Sequence, residues 1–230
     1  MTLPAQATQL ALFDLDGTLI DSEAGILGAI EYALAQLGAP IPPRAELRGW
    51  IGPPLRVTFP RVLGEDGDAV ERAVALYRDH YGASGWRDYR VYPGIDEVVA
   101  ELARQQVRLA VVTAKTDVYA ARIVASLPFG THFERVYAVG AGSAQCEKAE
   151  LIARALDELC VAPHASVMIG DRHFDMEGAR ANGVRAIGVG WGFGDAAELA
   201  RAGAVAIAQH PHELVALCVA GEPTRVRSAS

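Results

Sequence analysis

At 230 residues the chain is long enough for one full hydrophobic core and a small accessory unit. Its residues are 51% hydrophobic and 21% charged, as in an ordinary globular protein, and no apolar run approaches the length that spans a bilayer. The net charge of −7, with no basic cluster to offset it, argues against nucleic acid as a partner. Residues 1–9 lack a basic stretch followed by an apolar one, so a signal peptide is not expected. Cys146, Cys160 and Cys218 have no metal-ligand spacing and read as free thiols in a reducing cytoplasm.

Leu10-Ala11-Leu12-Phe13 reads as a buried strand, and it ends at Asp14-Leu15-Asp16-Gly17-Thr18. On an extended chain Asp14 and Asp16 share a side, where two carboxylates repel and call for a cation or a shared proton. Oxygen ligands of this kind suit a hard divalent ion such as Mg²⁺. Residues 21–92 follow as an insertion too large for an ordinary crossover. Ile26, Leu27, Ile30, Ala33, Leu34 and Leu37 recur at helical spacing before Gly38, and Ala69, Val70, Ala73, Val74, Leu76 and Tyr77 form a second such stripe. Pro40, Pro42, Pro43 and Gly52-Pro53-Pro54 punctuate the loops, and Pro93-Gly94 closes the insertion.

Beyond it, the run 107–112 ends at Thr113-Ala114-Lys115, and Ser166-Val167-Met168-Ile169 ends at Gly170-Asp171-Arg172-His173-Phe174-Asp175. Lys148 opens the apolar-periodic stretch of Leu151, Ile152, Ala155, Leu156 and Leu159. The chain has two lysines, Lys115 and Lys148, against nineteen arginines, and both stand in these segments. A compact ammonium can approach one phosphoryl oxygen and one carboxylate where a planar guanidinium does not fit. Strands near 9–14, 107–113, 134–139, 165–170, 184–189 and 204–207, alternating with helices, predict a doubly wound parallel α/β sheet. The division expected is a core of residues 1–20 and 93–220, a smaller helical cap domain at 21–92, and a disordered tail at 221–230.

The ordered set resembles the haloacid dehalogenase superfamily of phosphotransferases, from about residue 9 to about residue 208. Asp14 through Ser22 is similar to its nucleophile motif, Thr113 to its second, Lys148 to its third, and Gly170-Asp171 with Asp175 to its fourth. Gly178-Ala179, Asn182-Gly183 and Gly188-Val189-Gly190-Trp191-Gly192 resemble the phosphoglycolate phosphatase-like branch, which has an inserted helical cap. Two departures stand out: Ala114 replaces the usual Asn before Lys115, and Lys148 is followed by Ala149-Glu150 rather than Pro. With Gly142-Ser143 and Gly170-Asp171-Arg172 these resemble a nucleotidase-like subgroup.

The resemblance implies a Rossmann-like core and a phosphomonoester hydrolase that uses Mg²⁺ and forms an aspartyl-phosphate. Asp14 would be the nucleophile and Asp16 the general acid and base. Asp14, Asp171 and the Asp16 backbone carbonyl would hold the metal. Thr113, the Ala114 amide and Lys148 would bind the phosphoryl group. Asp175 would reach the ion through water or orient Lys148, and as a plain structural residue it would cap the helix at 176–181. In the cap, Arg48 and Arg56 could clamp a second anionic group of the substrate or be solvated, and Trp50 reads as core. The expected partner is a small cytoplasmic phosphate ester, with phosphoglycolate first and a nucleoside monophosphate or sugar phosphate next. A phosphomutase and a non-catalytic binding protein on the same fold are the alternatives.

Overall fold

The computed structural model describes residues 7–140 and 147–219. Gly142-Ser143, Cys146 and the 221–230 tail lie outside the described residues. In chain order, β1 (Leu10–Phe13) and β2 (Ile20–Asp21) lead into α1 (Glu23–Gln36), α2 (Arg44–Leu47), α3 (Leu55–Thr58), α4 (Pro60–Leu63) and α5 (Gly67–Ala83). Then follow β3 (Arg90–Val91), α6 (Ile95–Arg104), β4 (Arg108–Thr116), α7 (Asp117–Ser126), β5 (Phe133–Val139) and α8 (Lys148–Leu159). The chain continues through β6 (Ser166–Gly170), α9 (His173–Ala181), β7 (Arg185–Val189), α10 (Ala196–Ala202), β8 (Ala206–Ala208) and α11 (Glu213–Val219). No helix among the described residues is long and apolar enough to cross a membrane.

Six strands form one parallel sheet in the order β5-β4-β1-β6-β7-β8. β1 is central and buried on both faces, which is why its four residues are all apolar. Its side chains alternate: Ala11 and Phe13 enter a core with α6, α7 and α11, and Leu10 and Leu12 one with α8, α9 and α10. Phe13 stands edge-on to Phe133 of β5, and truncation of such a ring costs about 3–5 kcal/mol. Because the chain leaves β1 toward β4 and later returns to β6 on its other side, a crevice opens at the carboxyl ends of these three strands.

β2 and β3 pair antiparallel and bracket the helical insertion, with Ile20 opposite Val91 and Asp21 opposite Arg90. Two residues apiece carry no periodicity, so this pair has no sequence signal. The insertion has a hydrophobic cluster of its own, from Ile26, Leu27, Ile30 and Leu34 of α1 to Val70, Val74 and Tyr81 of α5. Trp50 is buried there, edge-on to Phe59. Tyr119 and Phe193, from outside the insertion, pack against the same cluster.

Candidate active site

β1 delivers Asp14 to the crevice, and the Asp14 N–H donates to the Ile169 carbonyl at 2.9 Å. Gly17 turns the chain back with its N–H on the Ile20 carbonyl at 2.8 Å and a left-handed φ of +80°. β6 ends beside it and presents Asp171, while Lys148 enters from the first turn of α8.

The Lys148 ammonium forms ion pairs with Asp14 Oδ1 at 2.8 Å and Asp175 Oδ1 at 2.7 Å and donates to the Val112 carbonyl at 3.1 Å. Burial works against this ammonium, yet the two carboxylates outweigh it and hold Lys148 charged above its ordinary range. For Asp14 burial dominates and pushes the carboxyl up to about 6, with Lys148 opposing and Asp175 adding to the rise. Asp175 faces two groups. Its Oδ1 holds Lys148, and its Oδ2 accepts the Arg172 N–H at 3.1 Å, closing the N-terminus of α9.

Asp171 is fully buried. Its Oδ2 accepts the Phe193 N–H at 2.7 Å, and its Oδ1 has no hydrogen-bond partner among the described residues. Burial first, then the charges of Asp14 and Asp175, push its carboxyl well above the usual range. A side chain on Gly17, Gly192 or Gly194 would collide with Asp171, so backbone encloses it closely. Trp191 Nε1 donates to the Thr18 carbonyl at 3.2 Å and pins this loop to the turn after Asp14.

Asp14, Asp171 and Asp175 each offer an oxygen within 4.8 Å of the others. A buried anionic oxygen with no donor is costly unless a cation supplies the missing charge, so the Asp171 Oδ1 fits a hard divalent ion. The trio differs from the expected metal set. Both side-chain oxygens of Asp16 accept from Lys115 Nζ, at 2.9 and 2.8 Å, so a metal contact by Asp16 falls to its backbone carbonyl.

Thr113 lies inside β4, which runs three residues past its expected end, and its Oγ1 accepts the Lys115 N–H at 3.2 Å. The pairing of β4 with β5 is irregular between Val112 and Thr116, and Ala114 is exposed at this break. Arg48 pairs with Glu23 at 3.1 Å, and its guanidinium lies 5.7 Å from the centre of the Phe193 ring. Arg56 is not brought to the cluster. Its guanidinium forks onto Glu71 at 2.5 and 2.8 Å on an exposed face. Glu71 is ten residues before Tyr81 on α5, about 15 Å along the helix axis from the residue that meets Lys115.

Two residues at the site, Phe193 and Arg172, escaped the sequence reasoning, and Lys115 was singled out there without its partner Asp16. Phe193 fixes Asp171 through a backbone N–H, which no side-chain pattern reveals. Arg172 joins the crevice loop to the insertion, donating to the Ile51 carbonyl and pairing with Glu198 at 2.9 Å.

Residues 11–189 match the family of haloacid dehalogenase-like hydrolases. The chain belongs to that family. The 5'-nucleotidase of Pseudomonas aeruginosa is 40% identical over 188 residues, 82% of this chain and 85% of that protein. The plasmid phosphoglycolate phosphatase of Cupriavidus necator is 34% identical over 236 aligned positions, 100% of this chain and 99% of its own. Tyrosine-protein kinase PtkA of Mycobacterium tuberculosis is 38% identical over 193 residues, 84% of this chain but 66% of that protein, just under two thirds of its length. The solved PtkA structure superposes with a TM-score of 0.81 at 35% identity, covering 94% of this chain and 100% of the solved one. These relatives place the haloacid dehalogenase-like chain among phosphoglycolate phosphatase-like members of the family.

Proposed function

We propose that the chain is a Mg²⁺-dependent phosphomonoester hydrolase acting through an aspartyl-phosphate on Asp14. One observation carries the reading: a buried ammonium shared by Asp14 and Asp175 stands beside an Asp171 oxygen with no donor among the described residues. Asp14, Asp171 and the Asp16 carbonyl would hold the ion, which when bound neutralises charge on the transferring phosphoryl group. Lys148 occupies Asp14 Oδ1, so Oδ2 is the attacking atom, and its bond to phosphorus forms as the ester P–O bond breaks. Asp16 gives its proton to the departing alkoxide. Asp16 then takes a proton from water, the water oxygen bonds to phosphorus, and the Asp14–phosphorus bond breaks. Thr113 and the Ala114 amide would hold the phosphoryl oxygens.

The helices between β2 and β3 would be the cap that closes over substrate and excludes water. The substrate would be a small phosphorylated metabolite, with phosphoglycolate and a nucleoside monophosphate as first candidates given the relatives' names. An exposed unpaired Cys160 fits a reducing cytoplasm. The test is a phosphate-release screen over such metabolites with Mg²⁺. Release that stops with chelator and returns with added Mg²⁺ is expected; release that survives chelation overturns the metal assignment.

A further inference from the structure

We infer that Lys115 is a positioning residue for the general acid, and that the insertion sets its position through Tyr81. This rests on the phosphatase reading above.

Both oxygens of Asp16 accept from one ammonium, so the plane of the carboxylate is fixed rather than free to rotate. The pair is largely sheltered: the Lys115 side chain is 7% exposed and that of Asp16 18%. Lys115 is held from its other side, with Nζ 5.0 Å from the centre of the Tyr81 ring. Tyr81 is immobilised in turn, stacked on Tyr77 at 5.5 Å and edge-on to Tyr119 at 5.2 Å. Asp14 is placed by core elements alone, while Asp16 is placed through a contact with α5. The nucleophile and the acid therefore answer to different parts of the molecule.

In the transfer step the Asp14 oxygen bonds to phosphorus, the ester P–O bond breaks, and the leaving oxygen takes the proton of Asp16. A protonated carboxyl keeps one oxygen free to accept from Lys115 while the other carries that proton. Orientation of this O–H matters for an alkoxide, which must be protonated to depart. It matters little for a p-nitrophenolate, which is stable as the anion.

The experiment compares Lys115→Met with the wild type in single turnovers, reading phosphoenzyme formation from p-nitrophenyl phosphate and from an alkyl phosphate that the wild type hydrolyses. The expected loss is about 10- to 100-fold for the alkyl ester and under about threefold for the aryl ester. Lys115→Arg should recover part of the loss, and Lys115→Met should add nothing in an Asp16→Asn background. Tyr81→Leu should reproduce the selective loss, and Tyr81→Phe, which keeps the ring face, should not. Equal losses on both esters, or a further loss in the Asp16→Asn background, overturn the proposal. Failure of the wild-type protein to release phosphate from any ester overturns the phosphatase reading instead.

Discussion

Lys148 reaches Asp14 from the first turn of a core helix and divides its charge between Asp14 and Asp175, with every partner buried. Lys115 reaches Asp16 from the end of β4, has that single carboxylate as its ion-pair partner among the described residues, and lies near a ring of the insertion. Both are ammonium–carboxylate contacts of nearly equal length at one edge of one sheet. The first settles a charge balance: three buried carboxylates converge, and one fixed cation answers two of them while Asp171 has no ion-pair partner among the described residues. The second leaves no such surplus and fixes a direction. Contact length alone does not separate these two roles; burial, and the element that supplies the far side of each lysine, do.

The comparison can be broken at its strongest point first. Asp14→Asn should take phosphate release to background while the fold persists, and retained turnover would remove the nucleophile from the charge-balanced side. Lys148→Met leaves two buried carboxylates facing each other, so it should reduce turnover and cost about 3–5 kcal/mol in denaturant unfolding. Lys115→Met breaks a pair with more access to water and should cost less, about 1–3 kcal/mol. If the two unfolding losses are equal, the distinction between charge balance and orientation fails.

A smaller effect concerns the Arg172 bridge to the insertion. Partial burial raises the Glu198 carboxyl, but the hydrogen bonds from the His173 backbone and ring and from Arg172 outweigh it and bring it down to about 2. A carboxyl that is lower in the folded state stabilises above its unfolded value, near 4.5, and that stabilisation is lost as pH falls toward 2. Glu198→Gln should therefore narrow the difference in unfolding free energy between pH 6 and pH 3. The smallest effect is expected of Arg56→Ala, about 0–1 kcal/mol for an exposed pair, with unchanged kcat/KM ratios across substrates. A shifted ratio would return Arg56 to substrate recognition.

Much of this was legible along the chain. Buried parallel strands are short local apolar runs, so all six strands of the main sheet were expected within a few residues of their bounds. Asp14, Thr113 and Asp171 stand at the ends of those runs, where a sheet of this order places ligands, and Lys148 opens a helix beside them. Contacts that depend on distant segments carried no local signal. Lys115 and Asp16 are 99 residues apart, and Arg172 and Ile51 are 121 apart. Arg56, left open between substrate clamp and solvated surface, has its guanidinium captured by Glu71 of α5.

The backbone collar of Gly17, Gly192 and Gly194 around Asp171 bears on how such a protein could be redesigned. A side chain on Gly17 or Gly192 would displace the carboxylate, and one on Gly194 would strike the Asp171 backbone carbonyl, so libraries aimed at new esters have little to gain there. Diversity belongs among the α1–α5 residues, which pack in a cluster of their own.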